Sequence, residues 1–181
     1  MTSALGAGTD AIVTGLRDAP PVPGRWEHVD AGQPFTVVVD YAHTPDGLTR
    51  VLRAARDAVV GHRVLVVFGC GGDRDRSKRP LMAAAATRLA DVAVLTSDNP
   101  RSEDPLAIIA DAASGAAAGA ELRVEPDREA AIAVALAEAR PGDIVVIAGK
   151  GHETGQAIGD RVVPFDDREV ARRLIGASTP W

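Results

Sequence analysis

The sequence predicts an α/β protein, a Rossmann-like three-layer fold with a mostly parallel sheet and helices on both faces. Three observations carry this prediction. Four short runs, 35–40 (Phe-Thr-Val-Val-Val-Asp), 63–68 (Arg-Val-Leu-Val-Val-Phe), 91–96 (Asp-Val-Ala-Val-Leu-Thr) and 143–148 (Asp-Ile-Val-Val-Ile-Ala), are almost continuously apolar. Such runs mark strands covered on both sides, whereas alternation would mark a half-exposed strand. Stretches with apolar residues at helical spacing separate the runs, and strand-helix alternation builds a parallel sheet. A polar loop rich in Gly, Pro or charge follows each run, at the strand ends where open parallel sheets hold their ligands.

Each element can be justified in order. Residues 1–18 are Ala- and Gly-rich and read as the end of a helix, with Leu5, Ile12, Val13 and Leu16 as large apolar groups too few to make a core. Pro20, Pro21 and Pro23 then fix φ and remove donors, predicting a stiff extended connector. Residues 1–24 are therefore expected to be the remnant of a preceding domain plus a Pro-rich linker, and 25–181 the main domain. After the first strand, Leu48, Val51, Leu52, Ala55 and Val59 share one face of a helix over 46–60, with Thr44 as its cap and Pro45 in its first turn. Helices over 77–90, 104–119, 127–140 and 168–175 follow the same logic. Weaker strands are expected at 122–124 and at 161–163, the second antiparallel after the Gly159-Asp160 turn.

Length and composition narrow the function. A chain of 181 residues fits one domain with a short extension and can bury about 70% of its unfolded surface. Alanine fills 33 positions and aromatic residues only 3%, so the core is aliphatic. The net charge of -5, from 20 Lys plus Arg against 25 Asp plus Glu, argues against nucleic acid as a partner, because phosphate backbones demand a cationic surface. The single Cys70 excludes an intramolecular disulfide and a Cys-cluster metal site and suits a reducing compartment. His28, His43, His62 and His152 lack zinc-site spacing, so no metal site is expected. No apolar run approaches the ~20 residues that cross a bilayer, and the start lacks signal-peptide order. A cytoplasmic protein without a membrane partner is expected.

The loops after the strands carry the chemistry. The first holds Asp40, Tyr41, His43 and Asp46. The second, Gly69-Cys70-Gly71-Gly72, either lets backbone amides approach a ligand or simply makes a tight turn. It is not G-x-G-x-x-G and has no acidic residue at the right distance after it, so a dinucleotide oxidoreductase has little support. Asp98-Asn99-Pro100-Arg101 offers a guanidinium fork and an amide on a stiffened backbone, suited to a planar carboxylate, or else a turn and helix cap. Gly149-Lys150-Gly151-His152-Glu153 resembles part of a phosphate loop, but no Walker A motif occurs in the chain. Glu153 suits a ligand ammonium, with room left beside Gly149.

Read in order, these loops resemble the C-terminal domain of the Mur ligases, most of all the MurE branch that adds the third residue of the peptidoglycan stem peptide. The matching stretches are 23–27, 39–46, 68–75 with 78–82, 98–101 with 103–105, 149–153 and 165–169, so the resemblance covers nearly the whole chain. Trp26 and Gly155 depart from the usual Met and Tyr. The resemblance implies an ATP-dependent amide ligase that joins meso-diaminopimelate to UDP-MurNAc-L-Ala-D-Glu. It implies that Arg74, Asn99 and Arg101 read the distal carboxylate, that Glu153 and the Gly149 backbone hold the ammonium, and that Asp98 of the Asp-Asn-Pro-Arg motif belongs to the same substrate site. On the nucleotide side it implies Arg25 near the phosphates, Asp40 near the ribose, and Tyr41, His43 and Asp46 as neighbours. ATP and Mg2+ would be bound mainly by a central domain whose phosphate loop is not in this sequence, so no catalytic residue is assigned and the chain alone is expected not to turn over ATP. The alternative is a stand-alone module that binds an amino acid or a partner through the same cleft.

Overall fold

In the computed structural model residues 6–20 and 22–177 are described, so Leu5 and Pro21 of the expected N-terminal segment lie outside the described residues. The first helix, α1 (Thr9–Asp18), buries none of its residues, as its thin apolar face dictates. A two-residue strand β1 (Glu27–His28) then pairs antiparallel with β2 (Thr36–Asp40). There follow α2 (Pro45–Ala58), β3 (Val64–Cys70), α3 (Lys78–Leu89), β4 (Val92–Ser97), α4 (Pro105–Ala113), β5 (Leu122–Val124), α5 (Arg128–Glu138) and β6 (Ile144–Ala148). A hairpin of β7 (Gly155–Ile158) and β8 (Arg161–Pro164) leads into α6 (Asp167–Ala177).

The main sheet has the order β1-β2-β6-β3-β4-β5, with every pairing after the first parallel. All seven residues of the central β3 are buried, which is why its run reads as unbroken apolar sequence. The pleat divides the core. Val38, Val66, Phe68, Leu95 and Val146 face one side with α2, α3 and α4, while Val39, Leu65, Val67, Val94 and Ile147 face the other with α5 and α6. The three layers predicted from alternation are therefore present. Alanines serve the contact directly: Ala83 and Ala86 of α3 and Ala131 and Ala135 of α5 are fully buried, letting the helix backbones lie close to the sheet. Helix starts follow the local sequence, with Thr44 Oγ1 accepting from the Gly47 amide and the Asp127 carboxylate from the Ala130 amide.

Three boundaries depart from expectation for identifiable reasons. β3 runs on through Gly69 and Cys70, which pair with Thr96 and Ser97, so the glycine-rich stretch is half strand rather than all turn. α4 stops at Ala113, short of 119, because Gly115 packs on Pro80 so tightly that a Cβ there would lie 2.0 Å from the Pro80 carbonyl oxygen. The strand at 161–163 is antiparallel, as the Gly159-Asp160 turn requires, but its partner is β7 in a separate two-stranded sheet.

Candidate functional site

The carboxyl ends of β2, β6, β3 and β4 open on one cleft of about 260 Å³. Arg74, Asp98, Asn99, Arg101, Gly149 and Glu153, the six residues expected to bind substrate, all line it, together with Tyr41 and His43 of the expected nucleotide set. The sequence separates these groups widely; parallel strand topology brings them together.

The cationic wall depends on two loops locked to each other. Arg101 has φ +52, its N–H donates to the Ala157 carbonyl (3.0 Å), and its own carbonyl accepts from the Gly159 amide (2.7 Å), so β7 and the turn after it grip this residue. Its guanidinium donates to the Gly72 carbonyl at 2.7 Å. The Gly72 amide in turn donates to the Asn99 carbonyl at 2.9 Å, and a Cβ on Gly72 would stand 1.9 Å from the Pro100 carbonyl oxygen. Glycine is thus needed for close backbone approach between the two loops. Arg74 is exposed and rests on the Asp73 carbonyl (3.3 Å), leaving its fork available to a ligand.

A second, acidic wall is backed by a buried lysine. Lys150, fully buried, donates to Asn99 Oδ1 (3.1 Å) and Glu153 Oε2 (3.2 Å) and lies 3.7 Å from Asp98 Oδ1. Asn99 Nδ2 donates to Glu153 Oε2 at 2.9 Å, and the Ala157 amide donates to Asn99 Oδ1 at 2.9 Å. Asp98 Oδ1 is buried and accepts no hydrogen bond among the described residues; the Lys150 ammonium at 3.7 Å supplies its counter-charge. Gly149 sits at φ +119, a conformation open to glycine alone, and its amide donates to the Asp40 carbonyl (3.1 Å). Beneath the cleft, the Cys70 thiol is pushed up to about 12 by burial and then by the Asp98 carboxylate, which makes it an inert core group.

The expected nucleotide residues divide. The Arg25 guanidinium stacks 4.6 Å from the Tyr41 ring centroid, and the His43 and His152 rings lie 4.6 and 5.4 Å from the same ring, forming one aromatic and cationic rim. The Asp40 carboxylate accepts the Trp26 amide (2.8 Å) and the Ala42 amide (2.9 Å), which ties the entry of the domain to the end of β2. Asp46 lies on the exposed first turn of α2, paired with Arg50 at 3.0 Å.

Four residues gained no role from sequence. Lys78, at the start of α3, lines the cleft and donates to the His43 carbonyl (3.3 Å). Lys150 read as a phosphate-loop fragment. Arg128 and Asp167, both fully buried, form a two-pronged pair (2.8 Å each), and Arg128 also donates to the Ala148 carbonyl (3.0 Å) and the Ser97 carbonyl (3.4 Å). It thereby straps together the strand ends that precede Gly149 and Asp98.

Comparison with known proteins agrees with this architecture. A family model described as Mur ligase, glutamate ligase domain, matches residues 24–151. The UDP-N-acetylmuramoyl-L-alanyl-D-glutamate--2,6-diaminopimelate ligase of Geobacillus thermodenitrificans is 57% identical over 173 residues, which is 95% of this chain and 35% of the relative. The protein of the same name from Fusobacterium nucleatum is 48% identical over 171 residues, 94% of this chain and 35% of the relative. A solved structure of such a ligase superposes with a TM-score of 0.81 at 44% identity, covering 97% of this chain and 36% of that one. UDP-N-acetylmuramate-alanine ligase from Thermotoga maritima shares the fold, with a TM-score of 0.65 at 20% identity. The chain spans about a third of the length of the curated relatives it matches, 35% in both cases.

Proposed function

The chain belongs to the Mur ligase family, and from that membership we propose that it is the C-terminal, amino-acid-binding domain of a ligase that adds meso-diaminopimelate to UDP-MurNAc-L-Ala-D-Glu in peptidoglycan synthesis. The observation that carries this reading is the convergence of Arg74 and Arg101 with Asp98 and Glu153 on one cleft, two guanidinium groups and two carboxylates in a single lining. Diaminopimelate ends in a carboxylate and an ammonium on one carbon. Its carboxylate fits Arg74, Arg101 and Asn99 Nδ2, and its ammonium fits Glu153, the backbone at Gly149 and the negative field of Asp98. Lysine brings only an ammonium to that end. Two guanidiniums would then lack their partner, and a site built to bond a polar group rejects an analogue without it by factors up to about 10⁴.

ATP fits the rim. Arg25 on Tyr41, with His43 and Lys78 close by, offers a stacked cation and a lysine at the mouth of the cleft, groups suited to phosphates. Bound ATP supplies the phosphoryl group that activates the acceptor carboxylate. Mg2+ would accompany the ATP phosphates, and among the described residues no group of three His, Cys, Asp or Glu is placed to hold a metal ion by itself. A reducing cytoplasm agrees with the buried free thiol of Cys70, and among the described residues no helix is long and apolar enough to cross a membrane.

Isothermal titration of the chain with meso-diaminopimelate and with L-lysine tests the reading. Saturable heat is expected with diaminopimelate alone, lost in Arg101→Ala and in Glu153→Ala. Equal heats for both amino acids, or heats unaltered by both substitutions, would overturn it.

A further inference from the structure

We propose that Lys150 is a positioning residue of the cleft, whose buried ammonium holds the Asn99 side-chain amide with Nδ2 turned toward the ligand and offsets one of the two cleft carboxylates. The proposal rests on the amino-acid-binding reading given above and extends it to a residue that touches no ligand group in that reading.

Hydrogen-bond chemistry settles the orientation of Asn99. A lysine ammonium and a backbone amide can only donate, and both reach the same atom, Oδ1, at 3.1 and 2.9 Å. A carboxylate can only accept, and Glu153 Oε2 faces Nδ2 at 2.9 Å. The amide is therefore pinned with its acceptor inward and its donors outward. Reversed, it would present oxygen to the ligand carboxylate. Remove Lys150, and the Ala157 amide alone holds Oδ1 while the second carboxylate of the pair loses its counter-charge.

Charge arithmetic points the same way. Asp98 and Glu153 bring two negative charges to this wall and Lys150 returns one, so a single negative charge remains for a single ligand ammonium. A buried, uncompensated carboxylate pair would instead favour a doubly cationic ligand or take up a proton. Lys150 is fully buried, which rules out the ordinary solvated role of a loop lysine. It stands 3.2 Å from Glu153, only one turn of chain ahead of it, so the short 149–153 loop carries both the acid and its counter-ion.

The test uses nuclear magnetic resonance on the 181-residue chain, whose own two-sided core makes it an independent folding unit. In the wild type the Lys150 Nζ protons and the Asn99 Nδ2 protons are expected as slowly exchanging signals, both shifting when meso-diaminopimelate is added. In Lys150→Met the Asn99 Nδ2 signals are expected to move and lose protection, and the dissociation constant for meso-diaminopimelate to rise about 30-fold or more. Lys150→Gln, neutral but still a donor, is expected to keep the Asn99 signals near their wild-type positions and to bind with intermediate strength. Unaltered Asn99 signals in a folded Lys150→Met chain would overturn the positioning role, as would undiminished binding. Should neither variant fold, a rapidly exchanging, invisible Lys150 ammonium in the wild type would overturn it, and a protected one that shifts with ligand would sustain it. A wild type that ignores meso-diaminopimelate would sink the reading of the cleft and the ligand half of this proposal, while the Asn99 signals would still decide whether Lys150 orients the amide.

Discussion

Replacing Arg128 by methionine should cost the domain about 3 kcal/mol, although Arg128 is a charged residue at a helix start. The side chains of Arg128 and Asp167 are both fully buried, and their pairing is two-pronged at 2.8 Å per bond. Removing one partner of a buried ion pair costs about 3–5 kcal/mol, since the survivor is left charged and dry. Two effects place this case. Asp167 opens α6, where helix-terminal amides offer a lone carboxylate up to about 1 kcal/mol of relief. Against that, the Ala148 and Ser97 carbonyls lose a donor at 3.0 and 3.4 Å. The assay is urea unfolding followed by circular dichroism. With a slope of about 2 kcal/mol per molar for a chain of this size, the midpoint should fall by about 1.5 M. The double replacement Arg128→Met with Asp167→Leu removes both charges and should recover at least half of that loss. A midpoint shift under about 0.5 M for the single variant, or a double variant as unstable as the two single variants added, would refute the reasoning.

Gly72→Ala must displace a backbone carbonyl 1.9 Å away and should cost about 1–3 kcal/mol, whereas Gly71→Ala meets the Arg101 Nη1 tip at 3.0 Å and should leave thermal stability nearly intact while weakening amino-acid binding. Equal melting losses for the two would contradict the assignment. The Arg79 guanidinium, bonded at 2.7 Å, and the Asp73 amide hold the Glu103 carboxyl down at about 2 from its ordinary 4.5. A depressed folded value means that the contribution is complete above about 4.5 and is lost as pH falls toward about 2, so Glu103→Gln should flatten acid unfolding in that window. An acid limb of unchanged steepness would show that the pair does not govern it. Cys70, pushed up to about 12 by burial, should resist alkylation at pH 8 until the chain unfolds, and modification at the rate of a free thiol would contradict its burial.

The parts of the fold that could be read in advance are those where one physical demand dominates. β3, β4 and β6 are covered on both faces, so nearly every position must be apolar and the runs stand out. Where two demands compete, the reading fails locally. Alanines through 110–118 favour helix by propensity, yet Gly115 against the Pro80 carbonyl turns the chain first, a tertiary contact that no local pattern contains. β1 is two polar residues, Glu27 and His28, on a sheet edge, and only its pairing with Val38 and Val39 makes it a strand.

The site divides by a similar logic. Arg74, Asn99, Arg101 and Glu153 stand just past strand ends, so their convergence on one cleft was legible from the parallel topology, while the ligand roles expected of them came from the family resemblance. Groups that hold those residues obey no spacing rule. Asp167 lies 39 positions from Arg128, and Lys150 bonds Asn99 of another loop, which the Ala157 amide of the hairpin also holds. A trace of them was nonetheless present in the charges. Two acids that converge at the ends of buried strands require a neighbouring cation. Lys150 lies between two glycines just after a fully buried strand, in the same loop as one of those acids, and its complete burial follows once the two acids share a pocket.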